Sequence, residues 1–161
     1  EDTAPAFEHV AMERLPLIAD RGVAVRVVAG SAYGATSPVK THSDLFYADV
    51  RMAAGSVLPL PGDHEERGIY VAEGEIVIAD QSFAAGRLLV FRPGDAISVK
   101  AQSDARVMLL GGEPMDGPRH IWWNFVSSSK DKIEAAKDDW KRGRFAIVPR
   151  DDKEFIPSPD K

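Results

Sequence analysis

Short apolar segments that recur roughly every ten residues are the feature that most limits how this chain can fold. The segments stop at Gly, Pro or Asp residues of the kind that form tight turns. The pattern predicts strands over residues 23–29, 45–53, 56–60, 69–72, 76–79, 88–91, 96–101 and 105–110. Strands of this length and spacing are typical of an all-β sandwich or barrel.

Residues 45–53 give the clearest strand signal because polar and apolar residues alternate there. The apolar side consists of Phe46, Ala48, Val50 and Met52, at the spacing of two that places side chains on one face of a strand. Further along, the Glu-Gly-Glu sequence 73–75 separates two apolar segments. Gly at such a reversal predicts that segments 69–72 and 76–79 pair as a hairpin.

The stretch of residues 119–129, Arg-His-Ile-Trp-Trp-Asn-Phe-Val-Ser-Ser-Ser, is predicted to form one apolar strand. Its large side chains occupy both faces: Ile121, Trp123 and Phe125 on one, and His120, Trp122 and Asn124 on the other. Since neither face suits plain solvent, we expect at least one Trp to lie against something beyond the local sheet. The candidate interface residues are His120, Trp122, Trp123, Trp140 and Phe155.

An amphipathic helix is predicted directly after this strand, within residues 130–144. Ser128 or Ser129 can cap its amino end, and Gly143 can end it in the left-handed conformation. Its apolar stripe consists of Ile133, Ala135, Ala136 and Trp140. Residues 145–148 are predicted to add a last strand.

These patterns divide the chain into four sections. Residues 1–16 are predicted to be a linker or arm, 17–126 a β-barrel, 127–148 the C-terminal helix and strand, and 149–161 a C-terminal arm. Both arms contain Pro and show little periodicity, which favours extended surface segments.

Length and composition exclude several classes of protein. The 161 residues suit one domain, and a net charge of −5 with dispersed basic residues argues against a nucleic-acid surface. The absence of Cys excludes disulfides and thiolate metal sites. No apolar run is long enough to span a membrane and no signal peptide is visible, so we predict a cytoplasmic location.

Several motifs resemble those of a known family. Residues 70–75, Tyr-Val-Ala-Glu-Gly-Glu, and the Pro-Gly-Asp turn 93–95 resemble the two motifs of the cupin jelly roll. Residues 111–129, together with the following helix and residues 144–149, resemble the C-terminal half of bacterial pirin-family proteins. Residues 4–16 are similar to the segment that joins the two cupin halves of that family. The resemblance covers essentially the whole chain, but corresponds to the second half of a typical pirin.

The resemblance also implies a metal, although not in this half. Cupins hold one metal ion with His residues and a carboxylate, and in pirins iron or another divalent metal is implied for the N-terminal half. Counting back from residues 70–75, the two His positions of the family fall on Leu60 and Gly62, or on Pro61 and Asp63 after a shift of one. Glu66 matches the position of the motif's Glu, but one carboxylate does not hold a transition metal.

The remaining histidines are not predicted to complete a metal site. His9, His42, His64 and His120 are expected to be surface or hydrogen-bonded structural residues. No His or Glu lies between residues 75 and 113, and the Gly-Gly pair 111–112 is expected to be a turn leaving the barrel. We therefore predict no catalytic, cofactor-binding or metal-ligating residue in this chain.

The favoured function is that of a metal-free C-terminal cupin half, a structural and interaction module. Its expected partner is the N-terminal metal-bearing half of the same parent, or a second copy of the chain where that half is absent. The resemblance implies a parent similar to metal-dependent quercetin 2,3-dioxygenases or to iron-linked regulators, with no activity in this chain alone. The alternative is a stand-alone small-molecule-binding cupin enzyme with a non-standard metal site.

Overall fold

The computed structural model describes residues 3–4, 6–147, 150 and 153–159. The chain forms two compact units, one of residues 5–114 and one of residues 115–161 with residues 1–4. The predicted barrel limit of residue 126 lies beyond this division. In the described part of the chain, the strands that follow Pro114 pair with each other and not with the sheets before it.

Short antiparallel strands in two sheets build the larger unit. The strands are β1 (Leu17–Asp20), β2 (Val23–Ala32), β3 (Ala35–Thr36), β4 (Leu45–Met52), β5 (Val57–Pro59), β6 (Glu66–Glu73), β7 (Glu75–Ile78), β8 (Gln81–Ala84), β9 (Leu88–Phe91), β10 (Ser98–Ala101) and β11 (Ala105–Gly112). The seven-stranded sheet has the order β1-β2-β4-β11-β6-β9, with β3 beside β2. The four-stranded sheet has the order β5-β10-β7-β8. This architecture confirms the predicted all-β class.

Alternation along the strands explains how one core forms between the two sheets. The four apolar residues on the predicted inner face of β4 are all buried, whereas Tyr47 and Arg51 between them are exposed. Val27 of the larger sheet joins the same core as Ile76 and Val99 of the smaller sheet. Burial of such a side chain contributes about 1.5–3 kcal/mol, so this core is the main source of stability in the unit.

The predicted hairpin around Gly74 is wrong. β6 pairs with β9 and β11 in one sheet, whereas β7 pairs with β8 and β10 in the other. Gly74 has a φ of +75°, and a Cβ there would lie 2.9 Å from the Cα of Ala105. The glycine is therefore needed to carry the chain from one sheet to the other through a crowded left-handed position.

The smaller unit begins with a tight hairpin where a single strand was predicted. β12 (His120–Trp122) pairs with β13 (Phe125–Ser127), and Trp123 and Asn124 form the loop. Trp123 has a φ of +53°, in the left-handed region that side chains rarely occupy. Because the chain reverses at Trp123, the prediction that this residue shares a strand face with Ile121 and Phe125 is wrong.

The helix α1 (Lys130–Lys141) follows the hairpin, as its capping and stop signals predicted. Ser129 occupies the N-cap position, where its side chain makes no capping hydrogen bond, and Gly143 has a φ of +64° just beyond the C-cap. The described residues 145–147 are not a strand, so the predicted last strand is wrong there, and Val148 lies outside the described residues. Within the described residues, no helix has the length and apolar character needed to span a membrane.

An aromatic cluster holds the parts of the smaller unit together. Its members are Trp122, Trp123, Phe125, Trp140, Phe145 and Phe155. The Trp140 ring centroid lies 5.2 Å from that of Trp123 and 5.9 Å from that of Phe155. Trp140 Nε1 also donates a hydrogen bond of 2.9 Å to the carbonyl of Ile156. These contacts connect α1 with the hairpin and with the described residues of the predicted C-terminal arm.

We expect Trp140→Ala to destabilise the smaller unit by about 3 kcal/mol, since it removes a large side chain from the centre of the aromatic cluster. Thermal unfolding followed by near-ultraviolet circular dichroism would measure this loss. Trp140→Phe is the matched control, because it keeps an aromatic ring in the cluster while it removes the hydrogen bond to Ile156 and part of the ring area. An unchanged melting transition in Trp140→Ala would contradict the central role of this residue.

Candidate functional site

Three ionisable side chains that are distant in sequence meet at one end of the larger unit. β11 lies between β4 and β6 and is antiparallel to both. Asp44 comes directly before β4, Glu113 comes directly after β11, and His64 comes shortly before β6. The strand order therefore brings all three residues together, and we call them the acid–imidazole cluster.

His64 is the buried member of the acid–imidazole cluster. Its side chain is 6% exposed, whereas those of Asp44 and Glu113 are 74% and 55% exposed. His64 Nδ1 lies 3.6 Å from Oε1 of Glu113, and Nε2 lies 4.0 Å from Oδ1 of Asp44. Both distances exceed those of ordinary N–H···O hydrogen bonds. Of the two environments predicted for His64, surface or hydrogen-bonded structural, the surface one is therefore wrong.

The backbone around the acid–imidazole cluster fixes the position of its members. The His64 ring stacks on Phe46, with centroids 5.4 Å apart and planes inclined by 23°. The backbone N–H of Glu113 donates a hydrogen bond of 3.2 Å to the carbonyl of Asp44. Gly111 makes room for this arrangement, because a Cβ on it would collide with the Phe46 ring and lie 2.6 Å from the carbonyl oxygen of Glu66. The Gly-Gly pair is therefore part of β11 and supports the cluster, where a plain turn was expected.

Arg67 places a positive charge inside the same unit. The residue is 3% exposed, and its guanidinium donates hydrogen bonds to backbone carbonyls. One terminal nitrogen, Nη2, lies 2.8 Å from the carbonyl oxygen of Asp95 and 3.2 Å from that of Arg92. The other, Nη1, lies 3.4 Å from the carbonyl oxygen of Pro61. Arg67 thus ties the segment after β9 to the segment before β6.

The outer face of the seven-stranded sheet carries an apolar area at the end nearest to the acid–imidazole cluster. Tyr47, Leu110, Gly68 and Val90 are paired in one row across β4, β11, β6 and β9. Val90 is 78% exposed. Tyr70 and Leu88, paired in the next row, are also exposed. We call these six residues the apolar sheet face; a groove of about 630 Å³ lies along part of it, where Gly68 has no side chain.

The other end of the same outer face is charged. Arg106 binds Asp49 through two hydrogen bonds of 2.8 Å and lies 3.7 Å from Glu73. The hydrogen bonds from Arg106 hold the pKa of Asp49 below its usual value. The apolar sheet face is therefore bounded on one side by a fixed ion-pair network.

The residues predicted as an interface all lie in the smaller unit. Trp122, Trp123, Trp140 and Phe155 contact one another or neighbouring rings in the aromatic cluster. Lys137 Nζ lies 4.6 Å from the centroid of Trp122, and the half-buried His120 lines a shallow pocket with Ile133. Their role as an interface stays a prediction. The acid–imidazole cluster was missed because its members flank separate strands, and no local motif reports that β11 lies between β4 and β6.

Comparison with known proteins identifies the family of this chain. Residues 47–146 match the Pirin C-terminal cupin domain. The chain belongs to the pirin family. A pirin-like protein of Caulobacter vibrioides is 43% identical over 161 residues, which are 99% of this chain and 56% of that protein. A candidate quercetin 2,3-dioxygenase of Pseudomonas aeruginosa is 35% identical over 88% of this chain and 45% of that protein.

Solved structures agree with this assignment. The crystal structure of a quercetin 2,3-dioxygenase from Acinetobacter baumannii has a TM-score of 0.80 and 28% identity, covering 90% of this chain and 50% of that chain. The cupin fold expected from the resemblance is therefore confirmed. The pirin domain described here spans about half the length of the curated relatives that it matches.

The residues at the family's metal positions do not fit a transition metal in this pirin domain. Leu60 is 6% exposed and belongs to the apolar core, and Gly62 has no side chain to donate. In the alternative register, Pro61 has no donor side chain and Asp63 is an exposed carboxylate. Glu66 is exposed, whereas its neighbour Arg67 is buried with a positive charge. These positions therefore offer a metal ion no imidazole and a neighbouring fixed cation, so no reaction step is assigned to a metal there.

Gly111→Ala is expected to destabilise the larger unit by about 1–3 kcal/mol, because the added methyl group must displace Phe46 or the backbone of β6. Chemical denaturation followed by circular dichroism would measure the change. Gly62→Ala is the matched control, since a Cβ on Gly62 has no neighbour within 4 Å. Equal stability of the two variants would show that Phe46 does not need the bare backbone of Gly111.

The Asp49–Arg106 pair predicts a pH-dependent contribution to stability. Because the pKa of Asp49 is lowered in the folded protein, its ionised form stabilises the fold above the unfolded pKa of about 3.9. This stability is lost as the pH falls through the folded pKa. Asp49→Asn should therefore lower the melting temperature at pH 7, and its difference from the unsubstituted chain should shrink as the pH falls below about 3.9. Asp80→Asn, which removes an exposed carboxylate from a turn of the same unit, is the matched control in the same melts.

Proposed function

We propose that this pirin domain is an interaction module whose apolar sheet face binds a second, metal-bearing cupin half. In this role the domain covers its partner and shapes access to the partner's metal site. It contributes no ligand at the family's metal positions and performs no quercetin dioxygenation alone. The parent activity we propose is that of a metal-dependent quercetin 2,3-dioxygenase, as named for its relatives, or that of an iron-linked regulator.

The observation that carries this proposal is the composition of the apolar sheet face. The outer face of a solvated antiparallel sheet normally carries polar residues. Here Val90, Leu88 and Tyr70 are exposed by 78%, 57% and 41%, on neighbouring strands of one sheet. A contiguous apolar area of this kind marks an interaction surface in a folded protein.

The length of the relatives indicates what binds there. This domain corresponds to 56% of the Caulobacter vibrioides relative, and its family is defined as a C-terminal cupin domain. A full-length pirin therefore contains an N-terminal half beside a domain of this kind. The charged network around Arg106 at the margin of the face would give such a contact a fixed orientation.

The predicted Trp-rich interface is a weaker candidate for the same role. The aromatic rings there are already packed against each other within residues 115–159, and Trp140 is also hydrogen-bonded to Ile156. In contrast, the side chains of Val90 and Leu88 point away from the core of the larger unit. Ile121 and Phe155 of the smaller unit are also exposed, by 72% and 64%. The sheet face is preferred because its exposed apolar residues lie in register on adjacent strands of one sheet.

The second candidate function is a stand-alone cupin enzyme that binds a small molecule. Its support is the groove of about 630 Å³ between Tyr47, Leu88 and Pro93, a volume typical of ligand sites. A small aromatic ligand, such as a flavonol, would fit its apolar lining. Saturable binding of quercetin by this chain alone, abolished by Leu88→Asp, would favour this function over the interaction module.

The interaction module predicts that this chain forms a stable complex with the part of the Caulobacter vibrioides relative that it does not match. The two pieces would be co-expressed and their complex measured by size-exclusion chromatography with light scattering. Val90→Asp should abolish the complex, because it places a charge in the apolar contact. Val57→Asp is the matched control, since Val57 is 54% exposed on the other sheet.

Expressed without that part, the chain is expected to form a homodimer through the same face. Val90→Asp should then convert the dimer to a monomer, and Val57→Asp should not. The proposal fails if the unsubstituted chain is monomeric at high concentration and also forms no complex when it is co-expressed with that part. Circular dichroism of each variant verifies that the fold is intact.

A further inference from the structure

We propose that Asp44, His64 and Glu113 bind a divalent first-row transition cation of the zinc class. This site goes beyond the interaction module, and it uses none of the residues at the family's metal positions. It also changes the expectation of a metal-free chain: Leu60 and Gly62 offer no donor, whereas the acid–imidazole cluster offers one nitrogen and two carboxylate donors. One donor atom from each residue lies within 4.8 Å of the other two.

The orphaned nitrogen of His64 is the main argument for a cation. Nδ1 is buried and has no hydrogen-bond partner among the described residues of the chain. Buried polar atoms are nearly always satisfied, by protein, water or an ion. The atom that lies toward it, Oε1 of Glu113, is 3.6 Å away, which is too far for a hydrogen bond. A cation between the two atoms would satisfy both.

The spacing of the donors suits such a cation. Zinc binds nitrogen and oxygen ligands at roughly 2.0–2.1 Å with tetrahedral geometry, so that two ligands lie about 3.4 Å apart. The separation of 3.6 Å between His64 Nδ1 and Glu113 Oε1 is close to this value. Asp44 Oδ1 lies 4.0 Å from the other ring nitrogen, Nε2, and its side chain is 74% exposed. Its carboxylate would therefore have to rotate toward Nδ1 to bind the same ion.

The charge and softness of the donors select the class of ion. Two carboxylates supply two negative charges, which match a divalent cation. An imidazole nitrogen favours zinc and its neighbours over magnesium or calcium, which prefer oxygen donors throughout. Because both carboxylates are exposed, water can complete the coordination from the solvent side. The site is therefore built for binding with an open position.

An ion triad of protonated His64 with two carboxylates is the competing explanation. Charge-assisted hydrogen bonds of that kind are short, at about 2.7–2.9 Å between nitrogen and oxygen. The separations of 3.6 Å and 4.0 Å in the cluster are both longer than this. The cluster is held open by features outside it, since Phe46 fixes the ring and the Glu113 amide fixes the backbone of Asp44. This preformed spacing favours an ion over direct pairing.

The test is metal binding by the untagged chain after chelator treatment and dialysis. Isothermal titration with ZnCl₂ should give one site per chain, and Co²⁺ should produce a visible absorption band that reports an ordered nitrogen–oxygen site. Glu113→Gln and Asp44→Asn should each weaken zinc binding by more than about tenfold. Even substitution of a residue that only hydrogen-bonds to a metal ligand lowers metal affinity by about tenfold or more. Both side chains are exposed, so these variants are expected to fold.

His64→Ala should abolish the Co²⁺ absorption band. Circular dichroism of this variant shows whether the protein is still folded, so that loss of the metal site can be distinguished from unfolding. His42→Gln is the matched control, because it removes an exposed imidazole from the same unit and should leave binding unchanged. The proposal would be overturned if the unsubstituted chain, Glu113→Gln and Asp44→Asn all bound zinc with equal affinity. A dissociation constant for zinc above the millimolar range in the unsubstituted chain would also overturn it. The ion triad would then explain the cluster.

Discussion

The close approach of the Phe46 ring to the bare backbone of Gly111 is the contact on which one end of this barrel depends. Because residue 111 has no side chain, β11 can pass directly over the aromatic ring, and the ring can offer its free face to His64. The same approach carries Glu113 to the carbonyl of Asp44. The absence of a side chain at residue 111 thus permits an imidazole to be buried between two carboxylates. No sequence motif predicts this arrangement.

Local patterns in the sequence were sufficient for features that depend on neighbours along the chain. The alternation of β4 predicted which of its side chains are buried, and the serine and glycine signals predicted the limits of α1. The predictions were wrong where the local structure depends on the direction that the chain takes between sheets or strands. Gly74 was interpreted as the turn of a hairpin, yet its positive φ serves to move the chain between sheets. Trp123 was placed within a strand, although it occupies a left-handed position in a two-residue loop.

The candidate site could not be predicted for a related reason. Its three residues are brought together by a strand order in which the last strand of the barrel is inserted between two earlier ones. Each residue alone has an ordinary environment: an acid before a strand, an acid after a strand and a histidine in a loop. The short β3 and the mostly exposed β8 were missed as well, since their pairing partners, and not their own residues, make them strands. Non-local pairing therefore accounts for most of what sequence patterns did not reveal.

Arg67 limits how such a domain could be converted into an iron protein. Three backbone carbonyls, of Pro61, Arg92 and Asp95, accept hydrogen bonds from its guanidinium, and that of Arg92 also accepts one from the Asp95 N–H. An engineer who introduced the two missing histidines at residues 60 and 62 would still face a permanent cation next to the intended ion. Replacing Arg67 would remove these hydrogen bonds and would loosen the segments that contain Pro61 and Asp95. Two introduced imidazoles would therefore not be enough, and the hydrogen bonds of Arg67 would have to be replaced at the same time.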